Sequence, residues 1–398
     1  MLLAKMSRNI VCISTHYWDD FWFRKQHFMW RFANLGNKVL YVEPSFSLVR
    51  RPYSHKRAHA GNRFFRPTVE EVHERLFLLK PPKGLPYWSH PVISTLNYKW
   101  FGYIVGQKSR ELGFKDPILW VYRPEYYNAL SLMKCDKIVF DLTDDLAAYK
   151  LKKDGQYSYI RGCIEGLMKR SDLVLTTAKT LYEEYSTIYG TDKVCYLPNG
   201  FDVGLFSKNN SEVPQDMRNI PRPIIGFVGV LFDFLDYDLI GYIAQRNPDK
   251  SVALIGPAEP PVAKDLARLK KYKNIHLLGA KPREAIPSYI HSFDICINPF
   301  KIDEVSRSAN PLKIYEYLAC GKPVVSMDME SLKSDKLISD EIDFAADYFA
   351  FDELVKRNIT RGLSREERIR KMQAVRNYSW DKLFHKLLIM VREHGFCI

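Results

Sequence analysis

Two open α/β domains, each a largely parallel sheet covered by helices, are the architecture this 398-residue sequence predicts. Apolar, β-branched runs of strand length alternate with helix-period segments along almost the whole chain, the pattern of sheets buried on both faces. The length favours two hydrophobic cores over one. In the second half the runs stop at Gly229, Gly256-Pro257, Gly279 and Pro299, and open sheets of this kind bind ligands just beyond the carboxyl ends of their strands.

In the first half the strand-like runs are "NIVCIS" (9–14), "KVLYVEP" (38–44), "RLFLLK" (75–80), "PILWVY" (117–122), "KIVFDL" (137–142), "DLVLTT" (172–177) and "KVCYLP" (193–198). Helices fill most of the intervals. The rhythm resumes with "PIIGFVG" (223–229), "SVALIG" (251–256), "NIHLLG" (274–279), "DICINPF" (294–300) and "KPVVSM" (322–327). A boundary in the segment Asn199–Phe206 gives a first domain of residues 1–199 and a second of 200–377. "SWDKLFHKLLIMV" (379–391), within the last segment 378–398, is a helix with too apolar a face to stand alone, and it is expected to pack back on the first domain.

A hydrophobic content of 46% and an aromatic content of 14% describe a globular chain. The start "MLLAKMSRNIVCIS" lacks the apolar core and cleavage site of a signal peptide, and no run approaches the roughly 18 apolar residues of a membrane span, so a cytoplasmic location is expected. Seven scattered cysteines without a C-x-x-C pair suggest neither a disulfide framework nor a zinc site. The net charge is +13, and residues 1–199 hold 30 Lys/Arg against 19 Asp/Glu. Part of that surplus lies in "RRPYSHKRAHAGNRFFRP" (50–67), where basic residues are interleaved with Tyr53, Phe64 and Phe65 in a loop. A solvated charged loop accounts for it, and so does attraction to phospholipid headgroups or a diphosphate-bearing acceptor, at about 1 kcal/mol per basic residue near an acidic membrane. Nucleic acid is not expected, because no nucleic-acid-binding motif accompanies the charge.

"ANPLKIYEYLACGKPVV" (309–325) reads as a helix opened by Asn310 as N-cap and Pro311 at the first helical position, closed by Gly321 and followed by a strand. The unused amides of Leu312 and Lys313, the helix dipole and the Lys313 ammonium together suit a diphosphate. Glu316 can accept hydrogen bonds from two vicinal sugar hydroxyls, as in a ribose. The plain alternative is an i,i+3 pair of Lys313 with Glu316 worth about 0.2–0.5 kcal/mol. Phe300, just past its strand, can lie against a sugar or base. Neither G-x-G-x-x-G nor a P-loop is present, which disfavours dinucleotide dehydrogenases and P-loop enzymes.

"KIVFDLTDDLAAY" (137–149) places Asp141 at a strand end and Asp144 and Asp145 just beyond. Three carboxylates in five residues repel one another, raising their proton affinity and suiting one to act as a base. A helix cap by Asp144 or Asp145, or a divalent-cation site, are the competing readings. "STHYWDDFWFRKQHF" (14–28) puts His16 in the loop after the first strand, where it can meet an acceptor, while His27 reads as a helix-surface or core histidine. Glu43 and Arg123, the latter in "VYRPEYY", follow two further strands.

These features together resemble the GT-B-fold glycosyltransferases over nearly the whole chain. "YLPNGFDVGLF" (196–206) resembles their interdomain segment, "IGFVGVL…D" the first strand and loop of their donor domain, and "NPLKIYEYLACGKPVV" their donor-binding helix. "STHYWDDFWFRKQHF" and "DLTDDL" bring the chain closer to the bacterial teichuronic-acid-type transferases and to the xanthan glucuronosyltransferase. The resemblance implies two Rossmann-like domains facing across a cleft, the first binding acceptor and the second a nucleotide diphosphate sugar, with a UDP-linked donor expected. It implies Asp144 as catalytic base, with His16, Arg123 and Asp145 on the acceptor side. Gly229, Val230, Phe300, Arg307, Asn310, Pro311, Leu312, Lys313 and Glu316 fall on the donor side.

Retaining GT-B families pair two glutamates eight positions apart, whereas Ser308 stands eight before Glu316, so inversion is expected. The arginine of the first donor-domain loop is absent from "GVLFDFLDYD", leaving Lys313 with Arg307 to hold the diphosphate. No cofactor or metal is expected. The function implied is hexosyl or uronosyl transfer to a glycan or polyprenyl-diphosphate-linked acceptor in bacterial surface polysaccharide biosynthesis, in the cytoplasm, with the first domain a candidate for the inner face of the inner membrane. A nucleotide-sugar epimerase of the same fold and a non-catalytic glycan-binding protein are the alternatives.

Overall fold

A computed structural model describes residues 8–19, 22–45, 66–88, 90–145, 156–207 and 212–398. Of the basic loop expected at 50–67, only Arg66 and Pro67 are among them. The chain divides into two units, Met1–Leu197 with Leu383–Ile398, and Pro198–Lys382.

In the first unit the strands are β1 (Asn9–Ile13), β2 (Lys38–Val42), β3 (Thr68–His73), β4 (Leu76–Lys80), β5 (Ile118–Val121), β6 (Ile138–Leu142), β7 (Leu173–Thr176) and β8 (Val194–Tyr196). They form one sheet in the order β3-β4-β2-β1-β5-β6-β7-β8. Every pairing is parallel except that of β3 with β4. The helices are α1 (Arg24–Asn34), α2 (Pro91–Glu111), α3 (Gln156–Arg170) and α4 (Lys179–Tyr189). Strands β5, β6 and β7 are buried along their whole length, which explains their continuous apolar runs. Edge strand β3 is different: its Glu70 and Glu71 are exposed, so it carries no apolar run to betray it.

The second unit contains β9 (Ile224–Val228), β10 (Ser251–Ile255), β11 (Ile275–Gly279), β12 (Ile295–Asn298), β13 (Val324–Met327) and β14 (Asp343–Ala345). Their order, β11-β10-β9-β12-β13-β14, is that of a doubly wound nucleotide-binding sheet, and all pairings are parallel. Its helices include α5 (Val203–Phe206), α6 (Tyr237–Arg246), α7 (Ala263–Leu269), α8 (Ile286–Ser292), α9 (Glu304–Ser308), α10 (Leu312–Ala319), α11 (Glu330–Lys333), α12 (Lys336–Ser339), α13 (Tyr348–Arg361) and α14 (Arg365–Ala374).

The last helix, α15 (Trp380–Glu393), begins in the second unit and continues into the first. Leu383, Phe384, Leu387 and Val391 are buried, and the Phe384 ring meets Phe32 of α1 at 4.9 Å and Phe28 at 6.2 Å. Lys137 beside β6 donates to the carbonyl of His394, 2.8 Å away. The apolar stripe read in 379–391 is thus the seam by which the chain's end returns to the first domain. No helix of the described residues is long and apolar enough to cross a membrane.

Doubly wound sheets hold ligands where strand order reverses, outside the carboxyl ends of the strands. That point lies between β1 and β5 in the first unit and between β9 and β12 in the second.

Candidate active site

In the second unit, β9 is followed by Gly229, whose φ of +155° favours glycine. Its amide donates to the carbonyl of Ile255 at the end of β10 (2.8 Å). Gly256, with φ of +146°, comes so close that a Cβ there would stand 1.8 Å from the Gly229 carbonyl oxygen. A Cβ on Gly229 would in turn stand 1.8 Å from Cε of Lys313. Two glycines therefore make the room in which the Lys313 side chain lies along the end of β9.

Helix α10 is fixed to the same strand end. The Tyr317 hydroxyl accepts from the Val228 amide at 2.8 Å and donates to the Val228 carbonyl at 3.3 Å. One turn earlier, the start of α10 differs from the sequence reading. Pro311, extended at φ −70° and ψ 113°, occupies the N-cap position, and no side chain caps the helix. Asn310 does not serve as N-cap, because its side-chain amide is committed to the Tyr315 hydroxyl (3.0 Å) beneath it. The Asn310 carbonyl accepts from the Asn199 side chain of "PNG" at 3.2 Å. The first amides of α10, those of Leu312 and Lys313 among them, are thus left without a side-chain acceptor, as suits an anion.

Glu316 is buried to 9% exposure on the same helix. Burial raises its proton affinity, the charges of Arg283 and Lys313 oppose that rise, and Asp202 adds to it. Arg283 lies in the turn after β11, its Nη1 4.0 Å from the Glu316 carboxylate and its guanidinium over the Phe206 ring. Burial and the Arg283 charge also lower the pKa of Lys313, an ammonium that would gain from an anion. Arg283 was missed in the sequence, where "KPREA" looks like an ordinary polar turn.

The other donor-side candidates separate. Val230 opens the loop after Gly229 and is partly buried. Phe300 is buried against Phe234 at 4.8 Å, bracing that loop through the Leu235–Phe300 bridge. Arg307 on α9 forms an exposed ion pair with Glu330 (3.2 Å), so Arg283, and not Arg307, is the cation drawn to Glu316. Ser308, buried, donates to the Val305 carbonyl at 3.3 Å.

In the first unit, His16 follows β1, Arg123 follows β5, and Asp144 and Asp145 follow β6. Asp141 belongs to the core, not to a repelling triad. Arg24 at the start of α1 reaches its two oxygens at 2.9 and 3.0 Å, and Trp120 Nε1 donates at 3.3 Å. Arg24 Nη1 also donates to the Leu197 carbonyl (2.8 Å). Asp144 is pushed up to about 6, chiefly by burial; Lys25 and a hydrogen bond from Thr143 oppose the rise, and Asp145 adds to it. The cause is thus desolvation more than carboxylate repulsion.

His16 has its backbone clamped by Ser14 and Tyr41 and its ring beside Phe23, centroids 4.5 Å apart. Burial, Lys25 and Arg123 hold its pKa well below the ordinary value, so it is neutral at pH 7. Arg123 lies over the Tyr98 ring and 3.6 Å from Glu125. Glu43 accepts from the Trp18 amide at 3.0 Å and shapes the His16 loop. His27 is buried, its ring 5.4 Å from that of Trp22. Among the described residues no group of three His, Cys, Asp or Glu side chains is placed to hold a metal ion.

Two doubly wound units, a C-terminal helix that returns to the first, and loops beyond both strand-order reversals define the architecture: the chain has the GT-B fold. Residues 222–348 match the family model described as glycosyl transferases group 1. Among curated proteins the chain is similar to "Putative teichuronic acid biosynthesis glycosyltransferase TuaH" of Bacillus subtilis strain 168. The two are 26% identical over 284 residues, which cover 68% of this chain and 70% of that protein. Among solved structures it is similar to sucrose-phosphate synthase from Thermosynechococcus elongatus, with 14% identity, 97% and 98% of the two chains covered and a TM-score of 0.70. It is also similar to Anabaena HepE in complex with UDP, with 12% identity, 97% and 99% covered and a TM-score of 0.66.

Proposed function

We propose that the protein moves a hexosyl or uronosyl group from a uridine diphosphate sugar to a glycan or polyprenyl-diphosphate-linked saccharide in bacterial surface polysaccharide biosynthesis. Transfer proceeds with inversion and without a metal ion. The observation that carries this reading is the Lys313 side chain laid along Gly229 at the uncapped start of α10, with Arg283 and Glu316 beside it. Free amides and two cations suit a diphosphate, and the buried carboxylate suits a ribose. Solved relatives support the donor class: HepE was captured with UDP and glucose, and an Escherichia coli protein of the trehalose-6-phosphate system with UDP-2-fluoro glucose.

In the reaction, the acceptor hydroxyl oxygen bonds to the anomeric carbon while the bond from that carbon to the diphosphate oxygen breaks. The hydroxyl proton passes to the Asp144 carboxylate, and the electron pair leaves with the nucleoside diphosphate, stabilised by Lys313, Arg283 and the α10 amides. With a pKa of about 6, Asp144 is mostly ionised at pH 7 and still basic enough to take a proton. His16, neutral, and Arg123 border the acceptor. Ser308 in place of an acidic residue supports inversion, although a trehalose-6-phosphate synthase of the same fold is described as transferring with retention. Calorimetry with UDP on wild type and Lys313→Ala tests the donor site. Unchanged affinity in the variant overturns it.

The first unit is also proposed to rest on anionic phospholipid at the cytoplasmic face of the membrane. On α2, Val92, Leu96, Lys99 and Tyr103 share an exposed face at helical spacing, with Leu85 and Tyr87 exposed ahead of it. Apolar side chains beside a lysine, on the half of the chain with the basic surplus, are the chemistry of an interfacial helix.

A further inference from the structure

Arg283 comes to Glu316 with little to hold its own side chain. Its Nη1 stands 4.0 Å from the Glu316 carboxylate, and among the described residues no side-chain hydrogen bond fixes the guanidinium, which lies 6.0 Å from the centre of the Phe206 ring. A cation so loosely met is placed by its backbone. That backbone is the turn between β11 and α8, in which Ala280, Pro282 and Glu284 are exposed. At its start the Gly279 carbonyl accepts from the Gly256 amide (2.9 Å), and within it the Ala285 amide donates to the Pro282 carbonyl (3.1 Å). Lys281, between those points, is held from outside the turn: its Nζ lies 2.7 Å from Asp216 Oδ2. The other Asp216 oxygen accepts from the Tyr289 hydroxyl at 2.8 Å, and Tyr289, buried, belongs to α8 beyond the turn. One carboxylate therefore grips the chain on both sides of Arg283. The Lys281 ammonium also lies 5.6 Å from the centre of the Tyr289 ring, which closes the three side chains into one cluster. Asp216 is itself firmly seated, in a short 3-10 helix, Gln215–Met217, whose Met217 is buried in the core of the second unit.

We infer that Asp216 is the positioning residue of Arg283: by bridging Lys281 and Tyr289 it fixes the turn that carries the guanidinium to the donor site. The inference rests on the reading of the second unit as the UDP site. A turn without this bridge gives up backbone freedom each time the nucleotide binds, and that loss is felt as weaker affinity. Asp216 touches neither diphosphate nor ribose; it acts through Arg283. The Lys281 and Asp216 side chains are 20% and 36% exposed, so the bridge is partly solvated and its effect on affinity is a few-fold. The sign is diagnostic. Removing a carboxylate near an anion site favours the anion through net charge, so a weaker affinity for UDP has to come from the lost placement of Arg283.

The test is calorimetry with UDP at pH 7.5 on wild type, Asp216→Ala, Arg283→Ala and the double variant. Asp216→Ala is expected to weaken UDP about three- to fivefold, and no more than Arg283→Ala does. The double variant should bind like Arg283→Ala alone, because once the guanidinium is gone its placement has no value. Asp216→Asn keeps an acceptor for the Tyr289 hydroxyl and breaks only the ion pair; it should weaken UDP about twofold, and it decides if Asp216→Ala does not fold. A lowered melting temperature with unchanged UDP affinity, the mark of a purely structural role, overturns the inference. So does a loss of affinity that persists in full in the Arg283→Ala background. Lys313→Ala keeps the two readings apart. If it binds UDP weakly while Arg283→Ala and the Asp216 variants bind normally, the donor site stands and the role of Asp216 falls, whereas unchanged affinity in Lys313→Ala overturns the donor site itself.

Discussion

Gly229 and Lys313 occupy one space: a Cβ on the glycine would sit 1.8 Å from Cε of the lysine. Gly229→Ala must therefore displace the Lys313 chain or shift the end of β9, and φ of +155° opposes any L side chain there as well. UDP binding should weaken roughly 10- to 100-fold, comparable to Lys313→Ala, since a charge-assisted hydrogen bond is worth about 1.5–3 kcal/mol. The double variant should lose little more than either single one, because both remove the same contact. Calorimetry on the three variants checks this, and additive losses would show that the two residues act separately.

Arg283 offers a second handle. Its charge opposes the upward shift of Glu316, so Arg283→Ala lets the Glu316 proton affinity rise further. A protonated carboxyl accepts fewer hydrogen bonds from a ribose. UDP affinity should fall several-fold at pH 7.5, and its decline on acidification should set in at higher pH than in wild type. Titrations between pH 5 and 8 measure both; parallel wild-type and variant curves would remove Arg283 from any link with Glu316.

Strands buried on both faces announced themselves in this chain because their environment demands uninterrupted apolar residues, as in "IIGFV" and "SVALI". Strand β3, with Glu70 and Glu71 exposed at the sheet edge, has no such constraint and was not foreseen; nor was β14, three residues long. At the sites, what could be read was placement relative to strand ends: His16, Arg123, Asp144, Gly229 and Lys313 all follow or flank them. Partnership could not be read. Asn310 has a good capping side chain, but the Tyr315 hydroxyl competes for it successfully, and Asp141 looked like one of three repelling acids until Arg24 was placed against it. Arg283 resembles an ordinary surface cation in the sequence, because its approach to Glu316 joins elements distant in the chain.

The exposed face of α2 leads to a prediction on lipid. Flotation with vesicles containing anionic phospholipid should carry the wild-type protein upward, and neutral vesicles should carry less. Leu96→Asp with Tyr103→Asp places two carboxylates on that face and should abolish flotation, while UDP affinity stays at the wild-type level because neither residue lies in the second unit. Equal flotation on neutral and anionic vesicles, or by the variant, would count against this surface.

Asp141 and Asp144, three residues apart, should respond oppositely when neutralised. Asp141→Asn leaves the Arg24 guanidinium buried without its counter-charge, a loss of about 3–5 kcal/mol. Asp144 has a folded pKa of about 6 against an ordinary value of 3.8, so the folded state binds its proton more tightly than the unfolded state. Its contribution to stability is therefore greatest in acid and declines as pH rises from about 4 to 6, leaving at pH 7 a cost of about 1–3 kcal/mol for the ionised carboxylate. Asp144→Asn should remove that cost: the variant melts higher than wild type at pH 7, the gain shrinks as pH falls through 6, and it vanishes near 4. Calorimetric melts at pH 4, 5, 6 and 7 follow the trend, with transfer measured alongside. A residue that stabilises the fold when lost, while sugar transfer stops and UDP binding persists, is one retained for chemistry; a melting temperature lowered at pH 7 would make Asp144 structural instead.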